Sequence, residues 1–449
     1  MQPNWDAVRD EVTRYLQALL RIDTTNPPGN ELAAAEYLAG VLQAEGFDPI
    51  VLESAPGRGN LVVRLKGSGE EAPLLLMSHT DVVPAEPDKW QHPPFSGALA
   101  DGYIWGRGAV DMKDTVAVFL MLMLLFKRRQ DAGAPPLKRD LIFMATADEE
   151  RGGHLGAGWL VKHHPDLIRA EYAINEGGGH EMRFGERRYF TVQTAEKGLA
   201  RFRLTARGEP GHASIPHDKN AVVRLAETVA RIGCSPLPTH ITPTVRTLFL
   251  QLADDMEGEV GEFLRKAVEP EHTETCIHAL PLPPIYRHLL MAMTRNTATP
   301  TVLQAGSKIN VIPSEAMARV DGRVLPGFDH DTFYAELEPL LCEGVELEFE
   351  DWGPPLESPV ESPLFDTIRA VLGDHEPDAG VIPWLLTGAT DAKHVVQLGT
   401  KVYGFTPMRD EGDGGLMLAH QHNERISVNN LLFSTQVLYD VIDRFAGQG

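Results

Sequence analysis

Cysteine is scarce, and the thiols present do not suggest pairs. Only Cys234, Cys276 and Cys342 occur, an odd number without metal-type spacing, so neither a disulfide framework nor a thiolate zinc site is supported. A reducing, cytoplasmic setting is the expectation. Positive charge is also short: 41 basic against 63 acidic residues give a formal net charge of -22. Such a surface repels phosphate backbones and anionic lipid, so neither nucleic acid nor a membrane surface is an expected partner. Long apolar runs are missing too. The longest, Val116 to Phe126, has eleven residues, short of the roughly 20 needed to span a bilayer, and reads as a core helix. The opening Met1-Gln2-Pro3-Asn4-Trp5-Asp6 lacks the basic and apolar regions of a secretory signal, so none is expected. Internal repeats and low-complexity tracts are absent as well.

What is present is a chain of 449 residues, too long for one ordinary core; at roughly 150 residues per domain, two domains are expected. Asn4 can cap a helix carrying Val8, Val12, Leu16 and Leu19 at helical spacing, and Asn30 a second that stops at Gly46. Asn26-Pro27-Pro28-Gly29 between them is a turn. Strands at Leu61 to Leu65, Leu74 to Met77, Leu141 to Thr146 and Tyr172 to Asn175 then alternate with helices, the rhythm of a doubly wound, mainly parallel α/β layer. Near residue 197 the pattern changes. Apart from an insert at about 233 to 297, the order becomes βαββαβ, an α+β ferredoxin-like domain inserted into the first. The expected boundaries are 1–197 with 354–449 for the first domain and 198–353 for the second.

The chemistry-bearing residues gather where strands end. Leu74 to Met77 runs into Ser78-His79-Thr80-Asp81, and alternation along a strand points His79 and Asp81 the same way. In open α/β sheets ligands collect beyond the carboxyl ends of strands, although a structural histidine is the plain alternative. Gly106 to Lys113 packs glycines before Asp111, which could equally be a helix cap. Asp148-Glu149-Glu150 follows another strand, where one acid can ligate while its neighbour moves protons; a solvated loop is the alternative. Glu176 ends a further strand, and His420-Gln421-His422-Asn423-Glu424 precedes the last helix. Nitrogen and oxygen donors of this kind suit zinc or a close relative.

These stretches, SHTDVVP, WGRGAVDMKD, ATADEERGG, NEGGG, EPGHAS, KINVIP and HQHNE, resemble the co-catalytic zinc family that includes aminoacylase, carboxypeptidase G, succinyl-diaminopimelate desuccinylase, carboxypeptidase S and carnosinase-type dipeptidases. WQHPPFSG, from Trp90 to Gly97, and the long insert look like the carboxypeptidase S and N-acyl amino acid hydrolase branch. The resemblance implies two zinc ions, with cobalt or manganese as possible substitutes. It implies that Asp111 bridges them, that His79 and Glu176 complete one site, and that Glu150 and His420 complete the other. His420 is chosen over His422 because the family's ligand lies three residues before the Asn of H-x-x-N-E.

By the same resemblance Asp81 orients His79, a role also expected of a carboxylate beside a ligating imidazole, and Glu149 is the general base. The inserted domain is implied to be a lid and, often, a homodimer interface. His212 within it matches a histidine that binds the developing oxyanion, commonly from the neighbouring subunit, although a turn histidine is the alternative. Asn310 and Arg323 match polar residues near substrate, with a paired strand residue the alternative for Arg323. Gly388 and Thr390 lie in a stretch resembling a substrate loop, where Lys393 replaces the Arg that relatives often carry.

The expected reaction is hydrolysis of an amide next to a free carboxylate, on small peptides (carboxypeptidase or dipeptidase type) or, alternatively, on N-acyl amino acids. A non-catalytic metal-binding protein is the remaining reading, disfavoured because a structural site has no use for Glu149.

Overall fold

The computed structural model describes residues 3–447; Met1 and Gln2, which open the stretch read above for a signal, lie outside them. Asn4 starts the first helix, Trp5–Leu20, by accepting the amide of Ala7 at 3.3 Å, and Val8, Val12, Leu16 and Leu19 are buried along one face. Asn30 departs from expectation. It makes no side-chain cap bond to the helix Glu31–Ala44, and the first helical residue instead turns a buried carboxylate to Arg58.

A mixed sheet forms the centre. Leu141–Thr146, Leu74–His79, Tyr172–Asn175 and Lys401–Gly404 run parallel to their neighbours in that spatial order. Every residue of Leu74–His79 and Leu141–Thr146 is buried, which is why parallel strands covered on both faces read as unbroken apolar runs. The chain leaves Leu74–His79 for a neighbour on one side and returns to Tyr172–Asn175 on the other. That reversal opens a crevice beyond the strands' carboxyl ends. The helix Lys113–Asp131, apolar almost all round, packs into the core with Trp5–Leu20 and Val428–Ala446.

Antiparallel strands extend the sheet on both sides: Gly59–Leu65 and Ile50–Glu53 at one end, Arg187–Glu196 at the other. Arg187–Glu196 and Ile50–Glu53 are not evident in the sequence pattern. Buried Thr191, Gln193, Thr194 and Glu196 break the apolar rhythm of the former.

The chain divides into two compact units, one comprising the residues up to Thr194, Ser358–Ile382 and those from Thr390, the other Ala195–Glu357 with Pro383–Ala389. The second unit carries a four-stranded antiparallel sheet in the order Thr297–Ala305, Glu315–Val324, Gly198–Arg207, Val345–Gly353. By chain order that is 2-3-1-4, and with the helices Ala221–Cys234 and His330–Leu337 it gives the expected ferredoxin-like sandwich. The insert is helical: Pro243–Asp255, Glu259–Lys266, Pro270–Ala279 and Pro284–Met293. Buried Lys197 fastens it, donating to the carbonyls of Ala292 (2.9 Å) and Arg295 (2.8 Å) and to Thr297 Oγ1 (3.1 Å). No helix among the described residues is long and apolar enough to cross a membrane.

Candidate metal centre

His79 arrives at the carboxyl end of its strand with its side chain 1% exposed. Its ring is held from behind: Nδ1 lies 3.0 Å from the carbonyl oxygen of Asp81 and 3.4 Å from Asp81 Oδ1. Nε2, the forward nitrogen, makes no hydrogen bond although it is buried. Asp111 Oδ1 is 3.2 Å from it, Glu176 Oε1 3.7 Å and Glu149 Oε2 4.0 Å.

Asp111 does not cap the helix that follows, since that helix starts at Lys113 after Met112. While its Oδ1 faces His79, its Oδ2 lies 3.1 Å from His420 Nε2, and the same nitrogen is 3.2 Å from Glu150 Oε1. One carboxylate thus stands between two imidazoles. Two sets of candidate donors result, His79 with Glu149 and Glu176, and Asp111 with Glu150 and His420, each with its atoms within 4.8 Å of one another. Grouping by mutual distance puts Glu149 in the first set. Its oxygen is nevertheless the farthest of the three carboxylates from His79 Nε2, which leaves Asp111 and Glu176 the better partners there.

The turn carrying the acid pair is fixed by Asp81, whose Oδ1 accepts the amide of Glu149 at 3.0 Å and whose Oδ2 accepts that of Glu150 at 3.2 Å. Preceding them, Asp148 adopts a left-handed backbone, φ 73°, so successive acids leave the strand end in different directions. Burial, reinforced by neighbouring Glu176, raises the Glu149 carboxyl well above its ordinary value, and burial pushes Glu176 up to about 8. Contacts with Asp111 and Glu150 raise the His420 imidazole to about 10. Four carboxylates crowded against two imidazoles are short of positive charge, and a buried imidazole nitrogen faces them without a hydrogen bond. The donor set fits divalent cations of the zinc class.

His420 and Asp111 sit on loops tied together by Glu424. Its Oε1 accepts the amide of Val110 at 2.9 Å, its Oε2 takes Arg107 Nη1 at 2.5 Å, and Arg107 Nη2 donates to the carbonyl of His420 at 3.3 Å. His422 points elsewhere, to Glu86 at 2.9 Å.

The other candidate residues have different surroundings. His212 belongs to the second unit, on the short pair Gly211–His212 with Val311–Ile312, exposed and with Nδ1 2.7 Å from Ser214 Oγ. Asn310 is exposed in that unit, its carbonyl accepting the amide of Ala213 at 3.1 Å. Arg323 pairs with Asp321 two residues earlier on its own strand, Nε to Oδ1 at 2.7 Å, so its guanidinium has the paired-strand setting. Gly388 is half-buried and falls in the second unit. Thr390 lies in the first unit, buried, its hydroxyl taking Asn175 Nδ2 at 3.0 Å and its carbonyl taking Lys393 Nζ at 2.9 Å. The buried hydrogen bonds that join Asn26 and Arg58 to Asp148 were not apparent from sequence. The one available signal was Asn26-Pro27-Pro28-Gly29, a turn too elaborate for a mere connection.

An α/β fold that brings such donors to the carboxyl edge of its parallel strands, with a further acid beside them, defines a metal-dependent hydrolase of amide or peptide bonds. The chain belongs to peptidase family M20/M25/M40, whose sequence profile matches residues 75–444. Among its relatives, N-fatty-acyl-amino acid synthase/hydrolase PM20D1 of Xenopus tropicalis is 28% identical over 443 residues, covering 93% of this chain and 83% of that one. Human aminoacylase-1 is 28% identical over 425 residues, covering 92% and 90%. In fold, the M20 metallo-carboxypeptidase Sso-CP2 from Sulfolobus solfataricus superposes with a TM-score of 0.71 at 18% identity, covering 97% of this chain and 99% of that one.

Proposed function

We propose that this hydrolase works with two zinc-class ions, cobalt or manganese being possible substitutes, and cleaves a peptide or amide bond next to a free carboxylate, as a carboxypeptidase- or dipeptidase-type exopeptidase. In this reading Asp111 is shared between the ions, His79 and Glu176 complete one site, and Glu150 and His420 complete the other. The observation that carries it is the placing of Asp111, with one oxygen 3.2 Å from His79 and the other 3.1 Å from His420. When bound, such a pair supplies Lewis acidity and a water acidic enough to lose a proton near neutral pH.

The chain's own residues do the rest. Glu149 lies beside Glu150 but farther from His79 than Asp111 and Glu176, free to accept the proton of the attacking water and deliver it to the leaving nitrogen. Asp81 keeps the His79 ring and the amides of Glu149 and Glu150 in place. His212 donates to the oxygen of the carbonyl under attack, from the same chain or from a second copy joined through the inserted unit. Asn310, Arg323, Gly388 and Thr390 are assigned to substrate. For Arg323 this requires exchanging its present bond to Asp321.

A second reading, hydrolysis of N-acyl amino acids, is favoured by the near full-length similarity to aminoacylase-1 and PM20D1. Both substrates present an amide beside a free carboxylate, so the catalytic assignments are common to the two. Incubating zinc-loaded protein with dipeptides and N-acyl amino acids side by side tests them. Turnover of dipeptides alone supports the exopeptidase, turnover of N-acyl amino acids alone replaces it with the acylase, and no zinc-dependent turnover of either overturns both.

A further inference from the structure

Behind the acid turn lies a buried chain of charged and polar side chains in which only the last, Asp81, has an assigned role. Arg58, 7% exposed, grips Glu31 with two parallel bonds, Nε to Oε2 and Nη2 to Oε1, both at 2.7 Å. Its Nη2 also reaches Asp148 Oδ1 at 3.0 Å. Asp148 takes two further bonds, from Asn26 Nδ2 at 3.3 Å and from the amide of Leu155 at 3.0 Å. Asn26 Nδ2 then lies 2.8 Å from Asp81 Oδ2, which itself accepts the amide of Glu150. The guanidinium is the only permanent cation among Glu31, Asp148 and Asp81 in this run, and its planar fork grips one carboxylate with two parallel bonds while reaching a second.

The backbone is arranged to admit it. Gly29, at φ 87°, passes so close to Arg58 that an added Cβ would lie 2.5 Å from Nε and 2.9 Å from Glu31 Oε2. The residue held at the far end, Asp148, is the one whose left-handed backbone (φ 73°) sets the directions of Glu149 and Glu150. Non-glycine residues hold that conformation only when their surroundings over-determine it, and three hydrogen bonds to the Asp148 carboxylate do so.

We infer that Arg58 is a positioning residue for the acid pair: by clamping Asp148 against Glu31 it fixes the turn from which Glu150 meets His420 and Glu149 faces His79. This rests on the proposed assignment of Glu150 as a metal ligand. Arg58 touches neither metal nor substrate, and its effect passes through Asp148.

The test is zinc titration of metal-free, full-length protein against a chromophoric chelator, with folding checked by circular dichroism. Two variants are used, the charge-preserving Arg58→Lys and the shape-preserving Asp148→Asn, so that one reports if the other fails to fold. Each should weaken one zinc site by about 10- to 100-fold, the range for residues that support ligands from behind, and leave the other as in wild type. Because both act through one contact, the double variant should be no worse than the weaker-binding single. Wild-type affinity at both sites in either folded variant overturns the inference, however far the thermal midpoint falls; so does full additivity in the double variant. Glu150→Gln is the control. If it binds zinc as wild type does, the ligand assignment has failed; if it loses one site while Arg58→Lys loses none, only the role of Arg58 has failed.

Discussion

Asp81 Oδ1 accepts the backbone N–H of Glu149 at 3.0 Å while its Oδ2 accepts that of Glu150 at 3.2 Å. The carboxylate beside His79 therefore does more than face an imidazole, because it fixes the two acids that approach from another strand. Asp81→Asn keeps the shape but exchanges one acceptor oxygen for a donor, leaving a buried N–H unmatched. Zinc affinity and kcat should each fall by roughly 10- to 100-fold, measured by chelator competition and by steady-state kinetics. Unchanged values would confine Asp81 to a packing role.

Asp111 is assigned to both ions, so its removal has a distinctive signature. Elemental analysis of Asp111→Ala should find neither ion, whereas Glu176→Ala and His420→Ala should each deplete one site. A full complement of metal in Asp111→Ala would dispose of the shared ligand.

His212 is exposed, its ring bonded locally to Ser214, a setting shared by a turn histidine and by the proposed oxyanion donor. His212→Ala should keep its metal and lose about 10²- to 10³-fold in kcat, the usual cost of one oxyanion donor. If the donor comes from a second copy, hybrids of His212→Ala with Glu149→Gln should regain one working site per dimer. Verified hybrids without recovery would place the donor in its own chain or remove its role.

The sequence disclosed the ends of the central strands because Leu74–His79 and Leu141–Thr146, buried on both faces, read as apolar runs that stop where the polar residues begin. It could not disclose what supports them. Asn26 and Asp81 are 55 residues apart, Arg58 and Asp148 90, and Asn26 and Asp148 122, so no local spacing joins them. Local rules put Asn30 at the N-cap of its helix, where it stands, but its side chain makes no capping bond. The neighbouring Glu31, the first helical residue, is instead paired in the interior with Arg58, 27 residues away. Arg187–Glu196 escaped notice because half-polar buried strands do not alternate in the expected way.

Lys197 offers a stability test remote in role from the chemistry. Its ammonium serves Ala292, Arg295 and Thr297 within the second unit. Lys197→Met fills the space but leaves two carbonyls without this donor, at a cost of roughly 2–4 kcal/mol, so calorimetry should show a transition lowered by about 5–10 °C. An unshifted thermogram would mean water replaces the ammonium without penalty.

Glu149 and Glu150 are neighbours with opposite assignments, proton carrier and metal ligand, and the most direct measurement compares their amides. Zinc content and kcat are determined for Glu149→Gln and Glu150→Gln under the same loading conditions. Glu149→Gln should hold both ions and lose about 10²-fold or more in kcat, while Glu150→Gln should lose affinity for one ion. The reverse pattern, or full activity in metal-loaded Glu149→Gln, would contradict the mechanism.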